Sequence, residues 1–499
     1  MKKTVFIKNA AILTASSLLL RFAGIIFKVW LAAAIGSEGI GLYQLIFSVY
    51  VLVSTFAASG INTAVTRLVA EETALGTKKG ALKILCRSIE ISLIIAAVTV
   101  IVVFFGAEFI AKRFLNDLRA VPALKILPFS LPFMAVSSSL KGYFIARRKA
   151  SPTAFAGIFE QAVRILAVVL LVKKFLKYGI AYCSAAVMLG DVISECIGCL
   201  IFGISFYFDS KKLKYLNGRP NPPYKITAKI TNIAAPITLG RYLNSLLRTG
   251  ENILVPKNLA KYPNSTNNAL SQFGMIKGMA LPILFFPSAI LNSVSTLLIP
   301  EMSEAAARNQ KGLVKSATKK IITLTSVISF VFSAIFFVAG EEIGILIYND
   351  SKVGFLLKAL SPIVPLMYLD SISDGILKGL DQQQYTFYTS VSDSLLRILL
   401  IVLLLSRTGL NGFIFIMYIS NLFTCLLHLI RLINLSKVKL KFLTEIFLPL
   451  ITAFTITLLA NCLLGVFGIT NVLVYIILLC LIVLPLYSVV VYFFLKDLS

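Results

Sequence analysis

The run Ser16-Ser17-Leu18-Leu19-Leu20-Arg21-Phe22-Ala23-Gly24-Ile25-Ile26-Phe27-Lys28-Val29-Trp30-Leu31 sits inside an apolar segment of membrane-crossing length, yet it holds two cations. A later run, Leu239-Gly240-Arg241-Tyr242-Leu243-Asn244-Ser245-Leu246-Leu247-Arg248, repeats the pattern at the same spacing. Seven residues make nearly two helical turns, so each pair shares one helix face, about 10 Å apart along the axis. A cation at bilayer depth costs at least about 2.5–3.5 kcal/mol, so it normally faces a watery cavity or a bound anion. Four such charges in matching places predict a cationic chamber.

Composition fixes the class around these two segments. With 58% hydrophobic residues, 14% charged residues and a mean hydropathy of +0.89, the 499 residues do not make a soluble fold. The reading is an all-α integral membrane protein with about fourteen transmembrane helices. They fall near 9–35, 40–66, 82–105, 122–146, 153–172, 179–206, 230–256, 269–299, 318–339, 355–378, 385–405, 411–433, 445–467 and 471–495.

The net charge of +26 would suggest nucleic acid in a soluble chain. Here the basic residues crowd alternate loops, among them Lys78-Lys79, Arg147-Arg148-Lys149, Lys211-Lys212, Lys319-Lys320 and Lys437 with Lys439 and Lys441. That is a positive-inside bias, and it excludes nucleic acid as the expected partner. An even number of crossings then puts both termini on the cytoplasmic side of the cell membrane. The opening Met1-Lys2-Lys3 imitates a signal peptide, but Arg21 interrupts the apolar run, which reads as the first span. Seven cysteines are scattered along the spans; Cys196 and Cys199 form a C-x-x-C on a transmembrane helix and read as packing residues, with no metal site expected.

The chain also repeats itself. A shift of 233 residues lays Pro132-Phe133-Met134 on Pro365-Leu366-Met367, Glu160 on Asp393, Arg164-Ile165-Leu166 on Arg397-Ile398-Leu399, and Gly179 on Gly412. A shift of 220 lays Arg21-Phe22 on Arg241-Tyr242 and Lys28 on Arg248. The expected organisation is an N-terminal lobe of six helices (1–208), a cytoplasmic linker (209–229), a second six-helix lobe (230–434) and two added helices (435–499). Parallel repeats of this kind carry a substrate site near the midplane and work by alternating access.

Arg21-Phe22-Ala23-Gly24, Ile35-Gly36-Ser37-Glu38-Gly39-Ile40-Gly41-Leu42-Tyr43-Gln44 and Thr66-Arg67-Leu68-Val69-Ala70-Glu71 open a further pattern. It continues in Leu140-Lys141-Gly142-Tyr143-Phe144, Glu160-Gln161-Ala162-Val163-Arg164 and Ile299-Pro300-Glu301-Met302-Ser303-Glu304. In order and spacing these motifs resemble the stage V sporulation protein B family of spore-forming Firmicutes. That family lies in the polysaccharide-exporter branch of the multidrug/oligosaccharidyl-lipid/polysaccharide superfamily. The resemblance implies a flippase-like fold and a role in spore cortex peptidoglycan synthesis, since relatives flip lipid-linked sugars including lipid II.

Candidate site residues follow from charge at membrane depth. Arg21, Lys28, Arg241 and Arg248, with Lys277 as a fifth cation, are expected to bind the diphosphate and acidic groups of a polyprenyl-linked saccharide. Guanidinium offers forked donors to phosphate oxygens, and lysine a mobile point charge. Glu251, three residues after Arg248, reads as its intrahelical partner or as a coupling-ion site with Asn244 and Ser245. Glu160 with Arg164, and Asp393 with Arg397, read as structural i,i+4 pairs, Asp393 doubling as a candidate proton or cation site. Asp191 and Glu195 stand one turn apart with no cation adjacent in sequence, so they call for a basic partner from another helix, a proton or a coupling ion. Asp370 and Asp374 form a similar couple, with Lys378 available to Asp374. Sodium and the proton are the candidate coupling ions; no other cofactor is expected.

The function expected is a flippase for an anionic polyprenyl-diphosphate saccharide, working among membrane lipids and beside cell-wall synthases. The chain carries no Walker A sequence, and its one histidine, His428, lies within a span, so an enzyme or an ATP-driven pump is not expected. A multidrug exporter of the same superfamily is the alternative, but a chamber holding Arg21 and Arg241 repels the cationic drugs such exporters carry. A scaffold recruiting cell-wall synthases is the third reading, and it leaves the buried matched cations without a purpose.

Overall fold

A computed structural model describes residues 3–74, 78–211, 223–262, 268–288, 291, 302–305, 308, 310–439, 441, 443–469 and 471–496. Most of the expected linker, including Asn217-Gly218-Arg219-Pro220-Asn221-Pro222, lies outside the described residues, as does Ile299-Pro300-Glu301. The described residues are helical, with no strand among them. The first helices are α1 (Lys3–Ala74), α2 (Lys78–Phe109), α3 (Val121–Ile126), α4 (Leu131–Ala146), α5 (Ala150–Phe175), α6 (Ile180–Lys211) and α7 (Pro223–Leu259). Next come α8 (Ala269–Gly274), α9 (Leu281–Phe285), α10 (Lys311–Tyr348), α11 (Ser351–Leu360) and α12 (Val364–Gly379). The last are α13 (Gln383–Leu400), α14 (Ser406–Ser436), α15 (Leu448–Val466) and α16 (Val472–Lys496).

Ten helical segments among the described residues are long and apolar enough to cross a membrane. Fourteen were expected. Ala15–Ala74 and Gln383–Ser436, of 60 and 54 residues, each hold two of the expected spans. In each, two helices meet at a kink, at Gly36 (φ 73°, ψ 176°) and Gly409 (φ 59°, ψ −138°), backbone states a side chain would oppose. The 37-residue α7 is helical but not apolar enough to join the ten, and Ala269–Phe285 is a shorter apolar helix.

Prolines mark bends. Pro128 lies in a 3₁₀ turn, Leu127–Ser130, joining α3 to α4, and Pro362 lies in another, Ser361–Ile363, joining α11 to α12. Proline withholds an N–H and crowds the preceding turn, so the helix tightens or bends there. Large apolar side chains face outward, Phe105 at 79% and Val466 at 83% exposure. Hydrocarbon is the solvent that tolerates such a surface. The chain is a multi-pass membrane protein.

Two compact units divide the chain: Met1–Phe27 with Glu38–Ile253, and Lys28–Ser37 with Leu254–Ser499. In the first, α6 packs along α5, α4 and α3, and α4 along α2. The second half of α1 is seated there by Ser138 Oγ, which donates to the Ala58 carbonyl (3.0 Å), and Thr66 Oγ1, which donates to Gly142 (3.3 Å). Gly60 lets α7 approach this half closely, since a Cβ there would stand 2.3 Å from the Ala234 carbonyl oxygen. In the second unit, α10 is the hub, packing on α11, α12, α15 and α16.

Candidate functional site

Charge is concentrated in the first unit where α5 meets α6. Arg164 projects from α5, with Glu160 one turn before it, and faces Asp191 and Glu195 one turn apart on α6. Its Nε lies 2.8 Å from Asp191 Oδ1; its Nη2 lies 3.2 Å from Glu160 Oε1 and 3.7 Å from Glu195 Oε1. Ser194 fills the gap, accepting from Arg164 Nε at 3.4 Å and donating to the Asp191 carbonyl at 2.8 Å. Asp191 and Glu195 are both buried. One guanidinium thus answers three carboxylates. Its five donors in a rigid fork make that geometry possible where lysine would not.

The second unit carries a smaller version. On α13, Arg397 Nη2 lies 2.9 Å from Asp393 Oδ2, one turn apart. Ser420 of α14 completes it, accepting from Arg397 Nε and donating to Asp393 Oδ1. An acid and an arginine on one helix, closed by a serine from the next, therefore occur in both units.

The five candidate substrate cations are distributed along α1, α7 and the turn after α8. Arg21, Arg241 and Arg248 are exposed and belong to the first unit, whereas Lys28 and Lys277 are half-buried and belong to the second. Around Arg241, α7 is fixed by the neighbouring Tyr242, whose ring meets Phe56 edge-on at 5.5 Å. Those two rings close one end of an apolar cavity of about 260 Å³, lined also by Ile61, Ile91 and Leu239. Beyond Arg248, Thr249 Oγ1 donates to the Ser48 carbonyl (3.1 Å) and Asn252 Nδ2 to Ser48 Oγ (2.8 Å). Glu251 is buried and Arg248 is exposed. Lys277 sits on a π-helical turn, Met275–Ala280, with its ammonium 6.0 Å from the Phe413 ring centre.

Several contacts were not readable in the sequence. His428 of α14 is buried, and its Nδ1 lies 2.8 Å from Asp370 Oδ1 of α12. Arg431 reaches Gln382 Oε1 through Nε (3.1 Å) and Nη2 (2.6 Å). At the end of α6, buried Asp209 is held by Arg147, Lys149 and the Tyr143 hydroxyl. Lys319 of α10 meets buried Glu445, just before α15, at 2.9 Å. A lone polar residue in an apolar helix was the available signal; the partner's identity was not.

Residues 6–305 match the polysaccharide biosynthesis protein family. Stage V sporulation protein B of Bacillus subtilis (strain 168) is 30% identical over 415 residues, 82% of this chain and 80% of that protein. The chain belongs to the polysaccharide biosynthesis protein family, beside stage V sporulation protein B. The fold of this family member is shared by solved membrane proteins. A structure titled lipid II flippase MurJ, in an inward closed conformation, aligns with TM-score 0.69 over 97% of this chain and 99% of its own, at 16% identity. An inward-facing multidrug resistance MATE family transporter of the MOP superfamily aligns with TM-score 0.66, covering 84% and 96%, at 13% identity. This family member therefore has the all-α fold seen in those transporters.

Proposed function

We propose that this protein flips an anionic polyprenyl-diphosphate-linked saccharide, a lipid II-like peptidoglycan precursor, across the cytoplasmic membrane for spore cortex synthesis. The observation that carries this reading is the exposure of Arg21, Arg241 and Arg248 on helices of a multi-pass membrane protein. Exposed guanidinium at bilayer depth demands an aqueous or anionic partner, and diphosphate is the anion its forked donors fit best. Lys28 and Lys277 add charge of the same sign. Two repeat lobes, 1–208 and 230–434, supply alternating access, the linker 209–229 joins them, and the helices of 435–499 are an addition to the repeat. Both termini face the cytoplasm, beside the basic loops. Membrane lipids surround the protein and cell-wall synthases receive its product.

A relative named as a lipid II flippase shares the fold, which supports lipid-linked cargo. A relative named as a multidrug transporter shares it too, and the sign of the charges separates the two readings. Reconstituted protein is expected to flip a fluorescent polyprenyl-diphosphate saccharide and to leave a cationic lipid unmoved. The reverse preference would reject the assignment. In a spore-forming host lacking its own stage V sporulation protein B, the wild-type gene is expected to restore cortex muropeptides and Arg21→Ala is not.

Asp191 and Glu195 beside Arg164, and Glu251 and Asp393, remain the acidic groups proposed for ion coupling, with sodium or the proton as the ion.

A further inference from the structure

The one histidine of the chain lies in the second unit, 3% exposed, on a helix of membrane-crossing length. Its Nδ1 faces Asp370 Oδ1 at 2.8 Å, and its Nε2 has no hydrogen-bond partner among the described residues. We propose that Asp370 and His428 form a proton-binding site that ties α12 to α14 and loads one proton per transport cycle. The role in the cycle rests on the flippase reading; the proton binding does not.

The chemistry is set by the two side chains. An ionised carboxylate only accepts, so it holds the imidazole with its proton on Nδ1 and its lone pair on Nε2. That unloaded pair carries one negative charge. A proton taken at Nε2 gives imidazolium beside carboxylate; moving the shared proton to Asp370 instead gives neutral acid beside neutral imidazole. Both forms hold the same proton count and no net charge. The Asp370 side chain is 26% exposed, which gives the proton a point of entry that His428 lacks.

Neighbouring groups leave this role to the dyad. On α12, Asp374 is already answered by Lys378 at 2.5 Å. From α13, the Tyr385 ring stands 6.4 Å from the imidazole, with its hydroxyl donating to the Leu427 carbonyl at 3.0 Å. On α14, Cys425 lies one turn before His428, and Arg431 turns its guanidinium to Gln382 and to the Tyr385 ring at 5.2 Å. The hub helix α10, which packs on α12, has no ionisable residue between Lys320 and Glu341. Within ion-pair distance, Asp370 has His428 as its one partner among the described residues. In the imidazolium–carboxylate form, loading strengthens the α12–α14 tie, because an ion pair replaces a hydrogen bond from a neutral donor.

A single histidine makes the site directly visible. Full-length protein labelled with ¹⁵N-histidine, in nanodiscs, is followed by NMR across pH of about 5 to 8, the range in which imidazole commonly titrates. The expected result is one signal with a hydrogen-bonded Nδ1–H that changes between unprotonated and protonated Nε2. Asp370→Ala, which leaves no acceptor, is expected to remove the hydrogen-bonded signature. One unchanging protonation state across the range overturns the site. In proteoliposomes with an imposed pH difference, coupling to one proton shifts the substrate distribution about tenfold per pH unit. His428→Gln is expected to abolish that response. Wild-type flipping indifferent to the gradient overturns the coupling role while the flippase reading stands. A titrating histidine in a protein that flips nothing overturns the flippase reading and leaves the proton site.

Discussion

At the scale of single residues, Arg164 carries the heaviest electrostatic demand described. Three carboxylates lie within 4 Å of it, two of them buried. Arg164→Ala strands them without a counter-charge, and breaking a buried pair of this kind costs about 3–5 kcal/mol. Thermal unfolding in detergent is expected to show that loss, with Arg164→Lys recovering only part because its ammonium lacks the fork. An unchanged melting temperature for the alanine variant would count against the cluster. Legibility in the sequence followed distance along the chain. Glu160 and Arg164 were readable as partners because one helical turn separates them. Asp191 and Glu195 announced a missing cation, but its source lay 27 and 31 residues earlier, on a helix whose packing the sequence does not encode locally. The Asp370–His428 contact, 58 residues apart, was hidden for the same reason.

Elements were legible where hydropathy alone decides them. Apolar runs gave the helices. Where two helices meet at a kinked glycine, as at Gly36 and Gly409, hydropathy registers two spans and the backbone turns between them. Gly36 illustrates the constraint: its φ of 73° with ψ of 176° is a region reserved for glycine. Gly36→Ala is expected to lower stability by about 1–3 kcal/mol, measured by thermal unfolding. Another element-scale test concerns the last two helices, whose attachment to α10 the repeat pattern could not supply. Lys319 meets the buried Glu445 there, at 2.9 Å. Lys319→Ala is expected to expose α15 and α16 to limited proteolysis before the rest of the chain. Simultaneous cleavage throughout would show that apolar packing alone docks them.

For the whole molecule, fold class and family were legible from composition, internal repetition and ordered motifs, and the structure and its relatives agree on the all-α transporter fold. Ionic partners at the site were less so, because they depend on which helix faces which. The proposed flipping turns on positive side chains meeting an anionic headgroup. Flipping of a fluorescent polyprenyl-diphosphate saccharide, by wild type, Arg21→Ala and Arg241→Ala at matched protein levels, tests it most directly. A hydrogen bond to a charged group contributes about 1.5–3 kcal/mol, so each variant is expected to lose about tenfold or more in rate. Both variants flipping at the wild-type rate would contradict the account.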